Sequence, residues 1–185
     1  MSRSSTSFHF MPLSYFLSSR GEDVTQRMLD SFEPCIKSST DDFLKRNAIA
    51  MEKRDLSRTF LALSDDMRLL GFVTLEMKCM RVPVENLLSN KCLRLMNIES
   101  RTGVAQAYLL GQIARSKDSP KGMGSELLEY ATSKLRACKS SIGCNLVRLD
   151  CEDSMVPYYM QHNFRLFRED GEDGMNSTIV RNVFL

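Results

Sequence analysis

The sequence lacks the features that mark several large protein classes. It has 185 residues, no tryptophan and only two histidines, His9 and His162. None of its six cysteines forms a Cys-x-x-Cys pair, so a zinc site of the usual spacing is not indicated. No apolar run approaches the length that spans a bilayer, and the Ser-rich start has no apolar segment typical of a secretory signal. We therefore expect a cytoplasmic protein with free thiols, no metal and no membrane anchor, built as one domain over residues 1–185 with a short flexible arm at about 1–7.

A strong excess of positive charge is also lacking. The 25 basic and 23 acidic residues leave a net charge of +2, which falls short of a dedicated nucleic-acid binder. The charge is nevertheless uneven, because residues 78–101 are mainly basic and residues 150–173 are mainly acidic. Solvated faces and loops explain this pattern, and a basic acceptor surface is the alternative that stays open.

The hydrophobic periodicity predicts alternating strands and helices in the order β-α-α-β-β-β-α-β-α-β-β. These elements are expected at residues 8–17, 22–33, 41–54, 58–63, 69–77, 105–115, 122–137, 145–151, 154–162, 164–167 and 177–185. The first strand is expected to run into a loop. Residues 78–105 are irregular in pattern and long for a connection, so they are either functional or contain structure that the pattern does not show. Because β-α-β units are right-handed and parallel, strands 105–115 and 145–151 should pair in parallel. We predict an α/β (α+β) fold with a mixed sheet of six or seven strands and helices on both faces.

A glycine turn stands between the predicted strand 105–115 and the helix that follows it. The turn reads Ser-Pro-Lys-Gly-Met-Gly over residues 119–124. Helix N-terminal amides have no partner within the helix, and the helix dipole leaves positive potential there. Such a turn suits a phosphate or pyrophosphate. The spacing is neither a Walker A nor a dinucleotide-binding fingerprint, and a simple sharp turn is an equal alternative.

The same turn resembles motif A of the GNAT superfamily of acyl-CoA-dependent N-acetyltransferases, whose signature is Gln/Arg-x-x-Gly-x-Gly/Ala. The resemblance implies a GNAT-like fold and acetyl-CoA as the co-substrate. It also implies two sets of cofactor contacts: Lys121, Gly122, Met123, Gly124 and Ser125 at the pyrophosphate, and the backbone of Ile113, Ala114 and Arg115 at the pantetheine. The chain departs from the signature at Ser119, which replaces Gln or Arg, and at Pro120, which has no amide.

A second segment, "PYYMQHNF" at residues 157–164, is similar to motif B of the same superfamily. Tyr158, Tyr159 and Phe164 match its aromatic positions, and Asn163 replaces its glycine. In the family, the second aromatic residue lies near the thioester sulfur and protonates the leaving thiolate. The resemblance therefore implies that Tyr159 is the catalytic general acid.

The N-terminal half is similar to the toxin-type GNATs of bacterial toxin–antitoxin modules. The similarity rests on Asp42, Phe43, Leu44, Ala48 and the segment Ser57–Phe60, which reads "SRTF". It implies transfer of acetyl to the amino group of aminoacyl-tRNA, an antitoxin partner and a possible homodimer. Seven basic residues are candidates for RNA phosphate contacts: Lys45, Arg46, Lys53, Arg54, Arg58, Lys78 and Arg81.

Two other functions stay open. The acceptor could be a protein amine or a small cationic amine, which the acidic region 150–173 would suit. Alternatively, the altered motif A could mark a catalytically weak CoA-binding sensor or scaffold. The general base is equally open, with water, Glu76 and Asp153 as candidates.

Overall fold

A computed structural model describes residues 7–82, 89–168 and 177–182 of the chain. Its elements are β1 (Phe8–Pro12), α1 (Leu13–Arg20), α2 (Glu22–Asp30), α3 (Ser39–Arg46), α4 (Ala48–Lys53), β2 (Arg58–Ser64), β3 (Leu69–Arg81), α5 (Asn90–Leu95), β4 (Val104–Arg115), α6 (Met123–Ile142), β5 (Leu146–Cys151), a 3-10 turn (Asp153–Met155), α7 (Val156–Gln161), β6 (Arg165–Arg168) and β7 (Ser177–Asn182).

The strands form one mixed sheet in the order β1-β2-β3-β4-β5-β7-β6. Strands β4 and β5 pair in parallel, with Tyr108 opposite Val147 and Leu109 opposite Arg148. The pairs β1/β2, β2/β3, β5/β7 and β6/β7 are antiparallel. The predicted mixed sheet, its hairpin and its parallel pair are therefore confirmed, and the number of strands in the order is seven.

The chain divides into two compact units. The first unit contains Met1–Glu76 and Gln112–Ala131, and the second contains Met77–Gly111 and Thr132–Leu185. Strands β3 and β4 and helix α6 each contribute one part to each unit. The expectation that residues 1–185 form a single domain stays a prediction, and residues 1–6 of the expected arm lie outside the described residues.

In the first unit, helices cover both faces of the sheet. The side chains of β2 alternate between the faces, and apolar ones on each face pack against helices. Leu61 and Leu63 point to one face, where they join a buried cluster with side chains of α1, α2, α3 and α4. Ala62 points to the other face, where it packs with Met123 and Leu127 of α6. The predicted helices on both faces are thus present in this unit.

Gly71 of β3 lies where the sheet and α6 are closely packed. A Cβ atom at this position would lie 2.9 Å from the carbonyl oxygen of Ala114 and 3.0 Å from Cδ1 of Leu127. No real side chain fits at these distances, so only glycine lets β3 approach the end of β4 and α6 this closely.

The second unit has its own core and an ion pair whose arginine is buried. Met80, Met96, Ala105, Ala107, Leu146 and Phe167 form the core cluster. Arg148 of β5 is buried, and its Nη2 donates to Oδ2 of Asp150 at 2.7 Å. Asp150 was part of the acidic region predicted from sequence, so at least one of its charges is neutralised within the fold.

Three local expectations differ from the structure. Leu13–Arg20 forms α1, where a loop was expected after the first strand, because Leu13 and Phe16 are buried against the core. The single helix expected at 41–54 is two helices that break at Asn47, whose φ of −116° departs from helical geometry. Residues 78–105 are less irregular than expected, since they contain the end of β3 and α5. Residues 83–88 lie outside the described part.

A buried carboxylate fixes the start of β2. The side chain of Glu52 is only 2% exposed. Its Oε2 accepts a hydrogen bond from the Thr59 amide at 2.8 Å, and its Oε1 lies 3.4 Å from Nη1 of Arg58. Arg58 also donates to Asp55 at 2.5 Å. Burial raises the pKa of Glu52, although the Thr59 amide and Arg58 oppose this shift.

We predict that Glu52 makes the stability of the fold depend on pH. Since its pKa is raised in the folded state, its favourable contribution is complete below the ordinary carboxyl value of 4.5 and is lost as the pH rises through the raised value. The free energy of unfolding of the native protein should therefore fall, relative to that of Glu52→Gln, between about pH 4 and about pH 7. Urea unfolding at both pH values measures this. Glu126→Gln, which removes an exposed carboxylate, is the control. The prediction would be contradicted if the free energy of unfolding changed equally with pH in the native protein and in both variants.

Candidate acyl-CoA site

The turn between β4 and α6 is organised around one buried serine. The amide of Ser116 donates to the carbonyl of Leu70 at 2.8 Å, which ties the turn to β3. The carbonyl of Ser116 accepts from the amide of Ser119 at 3.1 Å and from its Oγ at 2.6 Å. Its own Oγ accepts from the amide of Asp118 at 3.2 Å. The conformation of the turn is therefore fixed before any ligand binds.

A segment from far earlier in the chain supports the same turn from outside. Pro34 and Ser116 form an isolated antiparallel bridge. The Cys35 amide donates to the carbonyl of Arg115 at 2.9 Å, and the Lys117 amide donates to the carbonyl of Glu33 at 3.0 Å. The side chains of Lys117 and Glu33 form an ion pair. Sequence reasoning missed this support, because nothing in the local pattern of residues 33–35 indicates a contact about 80 residues away.

The turn leaves three backbone amides open at the start of α6. Within the described part of the chain, the amides of Lys121, Gly122 and Gly124 have no hydrogen-bond partner. The Met123 amide donates to Pro120 at 3.2 Å, and the Ser125 amide donates to Gly122 at 2.9 Å. The open amides and the helix dipole suit an anion, as the sequence predicted. The turn thus offers three open amide donors, fewer than the five residues from Lys121 to Ser125 that were predicted as contacts.

The side chains of the predicted cofactor contacts lie in different surroundings. Lys121, Gly122 and Ser125 are exposed, and Gly124 is half-buried. Met123 is buried with Leu127, so it could contribute to a ligand site only through its backbone.

Several groups at the end of β4 already pack or hydrogen-bond within the protein. Ile113 and Ala114 are half-buried and pack against clusters on opposite faces of the sheet. The carbonyl oxygen of Ala114 faces Gly71, and the carbonyl of Arg115 accepts from Cys35. The side chain of Arg115, in contrast, is exposed.

In the second unit, Tyr159 sits on the short helix α7. It is 5% exposed, and its ring packs edge-on against Tyr158 and Phe164 at centroid distances of 5.2 Å and 5.7 Å. Its carbonyl accepts from the amides of His162 and Phe164 at 2.9 Å and 3.1 Å. Asn163 adopts a φ of +65°, the left-handed conformation that the motif supplies with glycine and that asparagine tolerates.

The surroundings of Tyr159 keep its phenol protonated. Burial raises the pKa of Tyr159 well above its ordinary value, and Cys151 and Tyr158 raise it further. Burial also raises the pKa of the Cys151 thiol to about 11. The phenol of Tyr159 is therefore neutral at physiological pH.

Most of the basic residues predicted to meet RNA are paired with carboxylates. Four ion pairs occupy them: Lys45–Asp41 at 3.1 Å, Arg46–Asp42 at 3.7 Å, Lys53–Glu22 at 2.8 Å and Arg58–Asp55 at 2.5 Å. Arg54, Lys78 and Arg81 are exposed and have no ion pair among the described residues. Of the seven candidates, three therefore remain without an ion pair among the described residues.

Among the described residues, no cluster of three or more His, Cys, Asp or Glu side chains is placed to hold a metal ion. Among the described helices, none combines the length and apolar character needed to cross a bilayer. Cys35, Cys79, Cys138, Cys144 and Cys151 carry free thiols.

Comparisons with solved structures identify the same fold. No protein-family model and no curated protein matches the sequence. A structure of AtaT complexed with acetyl-methionyl-tRNAfMet has a TM-score of 0.73 and 14% identity, covering 95% of both chains. A tyrosine-to-phenylalanine mutant of KacT has a TM-score of 0.71 and 16% identity, covering 92% of this chain and 93% of that one. AtaTR bound with AcCoA has a TM-score of 0.68 and 13% identity, covering 95% and 93%. The predicted GNAT-like fold is thus confirmed.

We predict that Gly122 is needed for its backbone conformation and not for space. Its φ is +93°, but an added Cβ atom would meet nothing within 4 Å. Gly122→Ala should therefore destabilise the fold by about 1 kcal/mol, through strain at positive φ alone. Urea unfolding measures the loss, and Gly122→Asn, which tolerates this conformation better, should recover part of it. A loss of several kcal/mol would instead indicate a steric clash and contradict the prediction.

Proposed function

We propose that the protein is an acetyl-CoA-dependent N-acetyltransferase that transfers acetyl to a primary amine. The observation that carries the proposal is the set of open amides of Lys121, Gly122 and Gly124 at the start of α6. They occupy the motif-A position in a chain whose fold matches that of AtaTR bound with AcCoA. A helix N-terminus of this kind binds phosphate groups through its amides and its dipole.

Acetyl-CoA would bind with its pyrophosphate at this turn, which extends from Lys121 to Ser125. The end of β4 at Ile113, Ala114 and Arg115 would contact the pantetheine arm. Because the carbonyl of Arg115 already accepts from Cys35, Ile113 is the better candidate there for a backbone contact with the pantetheine. Holding the thioester and the amine together makes the attack effectively unimolecular, which supplies much of the rate enhancement.

In the reaction, the neutral acceptor amine would attack the thioester carbonyl. As the tetrahedral intermediate collapses, the C–S bond breaks and the CoA thiolate leaves. Tyr159 would donate its phenolic proton to that thiolate, a role that requires the protonated phenol present at neutral pH. The acceptor nitrogen loses its proton to solvent or to a base, for which Glu76 and Asp153 are both candidates.

For the acceptor, we propose the amino group of an aminoacyl-tRNA, with the protein acting as a translation-blocking toxin. The similarity to AtaT complexed with acetyl-methionyl-tRNAfMet supports this choice, as does the "SRTF" segment at Ser57–Phe60. A solved neighbour is also bound to the C-terminus of its antitoxin, so an antitoxin partner is part of the proposal. A homodimer is a further expectation.

A protein amine or a small cationic amine is the second candidate acceptor. The four ion pairs on and beside α3 and α4 favour it, since they neutralise much of the surface that RNA would need. A CoA-binding sensor without catalytic activity is the third possibility, and the altered motif A motivates it.

We predict that Tyr159→Phe lowers the turnover number on the order of 100-fold, because it removes the proton donor. The affinity for CoA should stay the same, as measured by calorimetry, while release of CoA from acetyl-CoA reports turnover. Tyr158→Phe is a matched control, because it removes a neighbouring buried hydroxyl that has no hydrogen-bond partner among the described residues. That control should keep full activity.

Two results would contradict this assignment. Equal turnover of Tyr159→Phe and the native protein would exclude Tyr159 as the proton donor. CoA binding without any turnover by the native protein, with every acceptor tried, would favour the sensor.

We predict that the cations without ion pairs, and not the paired ones, contribute to tRNA affinity. Replacing Lys78 and Arg81 by Gln should weaken binding of aminoacyl-tRNA and reduce the salt dependence of binding by about two counterions. Replacing Lys45 and Arg46 by Gln should have a smaller effect, because both are already paired. Filter binding across a salt series measures both. Fast acetylation of polyamines without tRNA binding would instead support the second acceptor class.

A further inference from the structure

Ser119 cannot perform the anion-binding task that its position has in motif A. Its amide and its hydroxyl both donate to the carbonyl of Ser116, at 3.1 Å and 2.6 Å. A serine has only these two donors, so in this conformation Ser119 offers an approaching phosphate only acceptor atoms. Pro120 follows it and has no amide at all. The first two residues of the motif therefore contribute no donor.

A neighbouring arginine reaches the place that Ser119 leaves open. Nη1 of Arg115 donates to Oγ of Ser119 at 3.5 Å. This is a long hydrogen bond, and it uses one of the five N–H groups of the guanidinium. The contact places the charge of Arg115 beside the motif residue, on the turn that leads to the open amides of α6.

The charge of Arg115 is also available. Within the described residues it has no carboxylate partner, whereas Lys117 on the same turn is paired with Glu33. The backbone on both sides of it is fixed, since its own carbonyl accepts from Cys35 and the next amide donates to Leu70. The guanidinium therefore extends from a rigid position, which lowers the entropic cost of binding an anion.

We propose that the guanidinium of Arg115 is a ligand of the CoA pyrophosphate and replaces the Gln or Arg that motif A has at position 119. This inference rests on the proposed binding of acetyl-CoA at the turn. Arginine suits the task because its planar fork can donate two parallel hydrogen bonds to a phosphate. The anchor has thus moved from the turn to the end of β4.

The test measures CoA affinity by calorimetry for the native protein, Arg115→Gln and Arg115→Lys. Arg115→Gln should bind CoA roughly 10- to 100-fold more weakly, the effect of losing charge-assisted hydrogen bonds. Arg115→Lys keeps the charge but not the planar guanidinium, so its CoA affinity should lie between those of the native protein and Arg115→Gln. Arg20→Gln removes another exposed arginine of the first unit as a matched control, and it should bind like the native protein.

Two further measurements make the assignment specific. The double variant Arg115→Gln with Ser119→Arg returns a guanidinium to the motif position and should recover most of the affinity. With 3′-dephospho-CoA, which keeps the pyrophosphate, Arg115→Gln should lose the same factor. A loss seen only with the 3′-phosphate present would overturn the pyrophosphate assignment.

The outcomes separate this inference from the proposed function. If the native protein binds CoA and Arg115→Gln binds it equally well, the role of Arg115 is wrong and the acetyltransferase proposal stands. If the native protein does not bind CoA at all, the proposed function fails, and this inference fails with it. Because Arg115 is exposed, its variants should have the same melting temperature as the native protein. A large drop in melting temperature would show that Arg115 has a structural role instead.

Discussion

The hydrogen bonds of Ser116 are the constraint on which the candidate site depends. Through its amide, carbonyl and hydroxyl, this one residue joins the end of β4 to β3 and sets the path of the turn before α6. The outer bridge from Pro34 supports the same point from the other side. A turn fixed in this way holds its open amides in place without a ligand, so binding an anion there would cost little ordering.

A second constraint lies in the "SRTF" segment at the start of β2. The Thr59 amide donates to the buried carboxylate of Glu52, and Arg58 contacts both Glu52 and Asp55. The hydrogen bonds of Thr59 and Arg58 therefore offset the cost of burying the Glu52 carboxylate, which α4 places at the start of β2. The residues of this segment thus stabilise the packing of α4 against the start of β2.

The main elements could be predicted from sequence because their signals are local. The glycine turn, the periodicity of α6 and the hairpin of β2 and β3 each lie within a few tens of residues, and the structure contains all three. Helix α1 was missed, since the burial of Leu13 and Phe16 that stabilises it depends on distant elements. The bridge of Pro34 to Ser116 and the ion pair of Lys53 with Glu22 are tertiary facts that no local pattern contains. The same holds for the contact of Arg115 with Ser119, which a comparison of motif letters does not reveal. The pairs of Lys45 and Arg46, in contrast, join residues four apart on α3 and are visible in the sequence.

The protonation state of Tyr159 bears on the choice of acceptor. In the proposed reaction, the protonated phenol of Tyr159 would donate a proton to the leaving thiolate and could not remove one from the attacking amine. The acceptor must then arrive neutral or lose its proton elsewhere. An α-amino group, with a pKa near 8, has a neutral fraction at pH 7 roughly 200-fold larger than that of a lysine side chain, with a pKa near 10.4. If the proposed acetyl transfer proceeds without a protein base, it therefore favours an α-amino group over a lysine or an aliphatic polyamine.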